Sequence, residues 1–312
     1  MEYRKLGTSD LDVSVVGLGT WPTGGEFFGK VEDQRSIEAI QASIDNGINL
    51  IDTAPAYGGG HAEEVVGQAI KGRRDEAIIA TKVGTMKKRG KFLRSLKPDV
   101  IREQIDNSLK RLDIDVIDLY QIHWPDPDTP LEESLEELIK QKEAGKFKYL
   151  GVSNFKPSLM DKAREITDVV SLQPQYSLLK RDIEKKIIPY CQENDMGILS
   201  YGTLAGGVLT GKYKDIPEFD DDDSRSMFYN FFDENQWPKI QNLLNSMREI
   251  AKKRDVPVAQ VAINWTFQQP GITSALVGAK NADQATSNAA AGDWKLSKEE
   301  LDTIETRYQE VM

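Results

Sequence analysis

The sequence holds a single cysteine, Cys191, and only two histidines, His61 and His123, in 312 residues. One cysteine closes no intrachain disulfide, which excludes a disulfide-stapled secreted scaffold. So few histidines and cysteines leave no ligand set for a transition metal. Positive charge is short as well: 40 Lys and Arg face 50 Asp and Glu, a formal net charge of −10. Such a chain has no general attraction for phosphate backbones or anionic lipid, so neither nucleic acid nor a membrane surface is expected as a partner. No apolar run approaches the roughly 18 residues that cross a bilayer. Met1-Glu2-Tyr3-Arg4 leads into no apolar core of signal-peptide length, and a cytoplasmic protein is expected.

What is present is a repeated alternation of strand-like and helix-like segments. Eight short apolar runs recur, at 13–20, 49–54, 77–82, 116–123, 149–154, 169–176, 197–203 and 272–279. Most are continuously apolar, as strands buried on both faces of a parallel sheet are. Between them Ile101, Ile105, Leu109 and Leu112 fall on one helical stripe, as do Ile240, Leu243, Leu244, Met247 and Ile250. Asn46-Gly47 and Gly145 can end helices in the left-handed conformation, and Pro98 and Pro130 suit a first helical turn. Eight such units predict an α/β fold, a (β/α)8 TIM barrel, as a single domain over residues 1–312. The rival doubly wound sheet would carry G-x-G-x-x-G early in the chain, but Gly17-Leu18-Gly19 is followed by Pro22 at the last glycine position. Residues 3–6 are expected to form an N-terminal β-hairpin across residues 7–12, and an extra C-terminal helix closes the chain. Residues 213–238, acidic and aromatic, read as a long functional loop.

In such barrels the active site gathers at the C-terminal ends of the strands. Asp52, with Tyr57 just beyond it, follows the second run, Lys82 the third and His123-Trp124 the fourth. Each alone has a plain explanation as a helix cap, a packed ring, a solvated amine or a core histidine. His61, beside three glycines, reads as a loop or helix-start residue. The plain explanations do not account for Asp, Tyr, Lys and His arriving at neighbouring strand ends. A lysine in a barrel mouth keeps its charge only beside a carboxylate. A charged Lys82 beside Tyr57 is expected to lower the phenol's pKa and fit it for proton transfer to a carbonyl oxygen.

Over nearly its full length the sequence resembles the aldo-keto reductase superfamily. The resemblance rests on Gly17-Leu18-Gly19-Thr20, Asp52-Thr53-Ala54-x-x-Tyr57-Gly58, Ala80-Thr81-Lys82, Ser108-Leu109-Lys110-Arg111-Leu112 and Asp118-Leu119-Tyr120-x-x-His123. It continues in Gly151-Val152-Ser153-Asn154-Phe155, the glycine-rich run from Gly206 to Lys212, and Gly278-Ala279-Lys280. In detail it is similar to bacterial NADPH-dependent reductases of the inositol-operon and general-stress type.

The resemblance implies a catalytic tetrad of Asp52, Tyr57, Lys82 and His123. Tyr57 would be the general acid, tuned by Lys82 and Asp52, with His123 orienting the carbonyl. It implies NADPH or NADP+ as cofactor, in preference to NADH. Ser153, Asn154 and Gln173 would hold the nicotinamide amide and Tyr201 would stack on its ring. Gly202, Thr203, Leu204, Ala205, Gly207 and Lys212 would follow the pyrophosphate. Gly19, Thr20, Trp21 and Asp52 complete the floor of the expected cofactor site. Gly278, Ala279, Lys280, Gln284 and Asn288 would meet the adenosine end, with Lys280 at the 2′-phosphate. Two positions depart from the family pattern: Gln284 stands where many members have arginine, and Ser177 where many have asparagine. Trp21, Tyr57, His123 and Trp124 are expected to wall the pocket of a small-molecule carbonyl substrate. A monomer or weak oligomer is expected. The competing reading is a slow NADP(H)-binding regulatory subunit or redox sensor, since a scaffold does not fix a function.

Overall fold

A computed structural model describes residues 1–25, 32–88, 91–219, 223 and 225–312. Two short strands lead the chain, β1 (Tyr3–Lys5) and β2 (Asp12–Ser14), paired antiparallel with Tyr3 opposite Ser14. The barrel begins with β3 (Val16–Gly19), β4 (Leu50–Asp52) and β5 (Ile78–Val83). An inserted antiparallel hairpin follows, β6 (Thr85–Lys88) and β7 (Lys91–Arg94). The barrel resumes with β8 (Ile117–Ile122), β9 (Phe147–Ser153), β10 (Ser171–Gln173), β11 (Gly197–Ser200) and β12 (Ser274–Gly278). These eight parallel strands close on themselves, with β12 beside β3 and β9 beside β10.

Helices α1 (Asp33–Asp45), α2 (His61–Ala69), α3 (Pro98–Leu112), α4 (Leu131–Glu143), α5 (Pro157–Arg164) and α6 (Ile187–Glu193) cover the first part of the barrel. The short α7 (Arg225–Phe228) precedes α8 (Trp237–Arg254), α9 (Val258–Gln268), α10 (Ala282–Ala290) and α11 (Lys298–Val311). The terminal helix α11 opens on a capping box in which Ser297 and Glu300 satisfy each other's backbone N–H groups, a motif worth about 1 kcal/mol. It packs on α8. Among the described residues no helix is long and apolar enough to cross a membrane.

The period-two alternation of strand side chains divides the barrel into layers. Leu50, Ala80, Leu119, Leu199 and Leu276 point inward and pack on Leu6, Leu11 and Val13 of the hairpin, which plugs the lower end. Two residues further along β4, β5 and β8 the same inner face carries Asp52, Lys82 and Gln121. The apolar floor and the polar layer above it are therefore successive turns of one pattern. The other faces of the strands, Ile51, Ile79 and Leu172 among them, bury against the helices.

Three sequence expectations are corrected in detail. The run at 13–20 is two strands, because Ser14 donates from Oγ to the Val16 carbonyl and from its N–H to Asn49 Oδ1, which bends the chain at Val15. Pro130 sits one position before α4 as its N-cap, whereas Pro98 does open α3. The segment 213–238 is not all loop: it contains α7 and a 3₁₀ turn at Asn230–Phe232, and its end belongs to α8. Asp220, Asp221 and Asp222 of that segment lie outside the described residues.

Candidate active site

Lys82 is fully buried, and its three ammonium protons have three acceptors: Asp52 Oδ2 at 2.6 Å, the Thr53 carbonyl at 3.0 Å and the Tyr57 hydroxyl at 3.2 Å. The other Asp52 oxygen accepts from Gln173 Nε2 at 2.8 Å and Gln121 Nε2 at 3.2 Å. A buried ion pair with every donor and acceptor engaged is one that the interior tolerates. Burial pushes the Lys82 pKa down while Asp52 pulls it back up. Behind this pair Glu63, fully buried, accepts from Thr81 and Arg111 and fixes α2 and α3 against β5.

Tyr57 reaches the site through a tight turn, its N–H donating to the Ala54 carbonyl. Gly58 follows at φ +62°, where a Cβ would lie 2.5 Å from the Gly24 carbonyl oxygen. Glycine is thus required for the turn to press against the 21–24 segment, which stacks Trp21 on Tyr57 with centroids 6.1 Å apart. The structure reverses the expected direction of the Tyr57 pKa. Burial, with the negative charge of Asp52 behind it, raises the phenol well above its ordinary value, so it holds its proton. Lys82 donates to the phenol oxygen, which leaves the hydroxyl proton free to point into the cavity.

His123 follows β8 directly, held by its N–H to the Val83 carbonyl, and its ring meets Tyr57 edge-on with centroids 6.0 Å apart. Its Nδ1 is buried without a hydrogen-bond partner. Burial first, and then the charges of Lys82 and Arg94, push its pKa well below the ordinary value, so the imidazole is neutral. Tyr57 and His123 face a cavity of about 380 Å³ at the C-terminal end of the barrel. Trp21, Trp124, Tyr201, Phe228 and Tyr229 supply its aromatic walls. Phe228 lies edge-on to Trp21 at 5.3 Å, so this described part of the 213–238 segment reaches the mouth.

On one side of the cavity stand Ser153, Asn154 and Gln173. Asn154 has φ +61°, an uncommon conformation for a residue with a side chain, and this turns its amide inward. The amide donates to the His123 carbonyl and Ser153 Oγ and accepts from the Tyr201 hydroxyl. Thr20 and Thr203 brace the rim from below, donating to the Asp52 and Leu276 carbonyls. Beyond Tyr201 the chain turns through Gly202 (φ +74°), Leu204, Ala205 (φ +48°), Gly206 (φ +67°) and Gly207 (φ +95°).

Arg225 donates to the Gly206 carbonyl, and a Cβ on Gly207 would meet its Nη1 at 3.3 Å. Arg225 also pairs with Asp223 and donates to the Tyr213 hydroxyl. Lys280 lies within electrostatic reach of Arg225 and Lys212: burial first, then Arg225, lowers its pKa, while Asp223 opposes them. At the end of β12, Gln284 Oε1 accepts from the Lys280 N–H, and Asn288 Nδ2 donates to the Gly278 carbonyl, past the buried Ala279. Gly19 is open to added atoms, with nothing within 4 Å of a Cβ built there.

The model of the aldo/keto reductase family matches residues 15–309. The chain belongs to that family. It is 40% identical to aldo-keto reductase YhdN of Bacillus subtilis (strain 168), an alignment covering 98% of this chain and 93% of the relative. It is 32% identical to the NADH-specific methylglyoxal reductase of Escherichia coli (strain K12), with 95% of each chain covered. Among solved structures, the glycerol dehydrogenase AKR11B4 from Gluconobacter oxydans superposes with a TM-score of 0.91 at 37% identity, covering 100% of this chain and 96% of that one.

As an aldo/keto reductase the protein is an oxidoreductase of carbonyl compounds that works with a nicotinamide cofactor. The residues present suit such a group. Arg225 donates to the carbonyl of Gly206 in a turn with successive left-handed glycines, and Lys280 lies within electrostatic reach of Arg225 and Lys212, with Asp223 opposing them among the described residues. Main-chain donors beside clustered cations form a site for phosphate oxygens. Sequence reasoning missed Arg225, Gln121, Gln175, Thr85 and Arg94. Gln121 was legible as the inward residue two positions before His123, and Arg225 as the cation next to the aspartate run. Thr85 and Arg94 stand between the run at 77–82 and the helical stripe that begins at Ile101, where no element is expected, although Arg89-Gly90 is a turn signal between them.

Proposed function

We propose that this aldo/keto reductase reduces small aldehydes and ketones, with Tyr57 giving the proton to the carbonyl oxygen and NADPH as its cofactor. The observation that carries the proposal is the buried chain Asp52–Lys82–Tyr57, with Lys82 Nζ 2.6 Å from Asp52 Oδ2 and 3.2 Å from the Tyr57 hydroxyl. Ser153, Asn154, Gln173 and Tyr201 would hold the nicotinamide, Gly202–Gly207, Lys212 and Arg225 the pyrophosphate, and Lys280 the adenosine end. When bound, the cofactor supplies a hydride.

The chain's own residues govern the proton. Burial keeps Tyr57 protonated, so a donor is always present at working pH. As the proton leaves, the phenolate that forms rests on the Lys82 ammonium, whose charge Asp52 has already anchored. Neutral His123 presents a ring nitrogen to the carbonyl without competing as the acid. The aromatic walls exclude water and strengthen each of these contacts. Arg225 beside Gly206 and Gly207, with Lys280 and Lys212 in its electrostatic neighbourhood, supports NADPH over NADH, because the extra phosphate needs a counter-charge that a chain of net −10 offers at few places.

The test follows NADPH consumption with a panel of small aldehydes and ketones in the wild type and in Tyr57→Phe. The variant should lose about 10²–10⁴-fold in kcat while still binding cofactor. Parallel loss of cofactor affinity and turnover would remove Tyr57 from its role. Tight cofactor binding with no turnover in the wild type would favour a redox sensor.

A further inference from the structure

Among the described residues lining the cavity, Arg94 alone carries a formal charge. Lys82 and Asp52 lie behind Tyr57, and His123 is neutral. Among the described residues no carboxylate lines the cavity to neutralise Arg94. The guanidinium is stacked over the Trp124 ring, 4.5 Å from its centroid, which orients the planar fork while leaving its N–H edge available.

Thr85 is the cross-strand partner of Arg94 in the β6–β7 hairpin and lines the same cavity. Its side chain is buried, and its hydroxyl oxygen has no hydrogen-bond partner. A buried hydroxyl left unpaired costs about 1–3 kcal/mol unless a ligand completes it. Two adjacent groups that both require an acceptor therefore line the cavity that Tyr57 and His123 also line, with Arg94 in electrostatic reach of His123.

We propose that Arg94 and Thr85 form a carboxylate subsite, and that the substrates of this enzyme are small aldehydes bearing a carboxylate a few atoms from the carbonyl. The inference rests on the carbonyl reductase reading above. The carboxylate takes the paired N–H groups of Arg94 and the Thr85 hydroxyl, and the carbonyl at the other end of the molecule then meets Tyr57. The guanidinium plane fixes the distance between the two ends, so chain length as well as charge is selected.

The test compares 4-oxobutanoate with its methyl ester, two aldehydes that differ in charge but little in size. In the wild type kcat/KM should favour the carboxylate. In Arg94→Gln the ratio of carboxylate to ester should fall by about ten- to a hundredfold, the range of a hydrogen bond to a charged group, chiefly through KM for the carboxylate. Thr85→Val should reduce the same ratio by a smaller factor. Arg94→Lys, which keeps the charge but loses the fork and the stack, should restore only part of it. A wild-type ratio near one, or equal losses on both aldehydes in Arg94→Gln, would overturn the subsite while leaving the reductase reading intact. Failure of the wild type to reduce either aldehyde, or any other carbonyl of the panel, would overturn both.

Discussion

Lys82 Nζ and Asp52 Oδ2 lie 2.6 Å apart inside the barrel, where neither side chain has appreciable contact with solvent. Such a pair is costly to break from one side. Lys82→Met leaves the Asp52 carboxylate with only the Gln121 and Gln173 amides, and should destabilise the fold by about 3–5 kcal/mol. The double variant Lys82→Met with Asp52→Asn should be less destabilised than the sum of the two single changes, because neither leaves a buried charge for the other to compensate. Denaturant unfolding of the four proteins measures the coupling. Simple additivity would mean that the pair is not one energetic unit.

The proposed preference for NADPH is tested at Arg225, which donates to the Gly206 carbonyl, and at Lys280, within its electrostatic reach. Lys280→Glu and Arg225→Gln should each weaken NADPH binding by about ten- to a hundredfold, as expected for a lost charge-assisted contact. For Lys280→Glu the loss with NADH should be much smaller. Fluorescence titration with both cofactors gives the comparison directly. Equal losses for both cofactors in Lys280→Glu would assign Lys280 to a part of the molecule that they share.

His123 gives stability a pH dependence of known sign. Its folded-state pKa is pushed below the ordinary value, so below pH about 6.5 the unfolded chain takes up a proton that the native state refuses. This contribution to stability is therefore complete above pH 6.5 and declines as the pH falls from there towards the folded pKa, by up to about 1.4 kcal/mol per pH unit. Unfolding free energies of the wild type and His123→Phe between pH 7.5 and 5 should diverge in that sense, the wild type losing more. Parallel curves would show that the imidazole titrates normally in the folded protein.

The reach of sequence reasoning is clear at particular residues. Asp52, Lys82 and His123 end continuous apolar runs, so their place at the barrel mouth follows from strand geometry and barrel closure. Tyr57 follows its strand by only five positions, too few to leave the rim. Gln121 was accessible in the same way, because period two sets it on the face of Leu119. Arg94 was not: it stands in an inserted hairpin that follows neither the barrel strands nor the helices. Its relation to Thr85 exists only through the register in which β6 and β7 pair.

Sequence alone determined the number of barrel strands, the acidic and thiol-poor character of the chain, and the identity of the polar residues at the strand ends. These are properties of spacing and composition, written locally. Tertiary structure decided the protonation of those groups and their partners. The direction of the Tyr57 pKa depended on whether burial outweighs the lysine beside it, and burial belongs to the assembled barrel. The approach of Lys280 to Arg225, far apart in the chain, likewise required the strands to close, since electrostatic contact depends on distance in space.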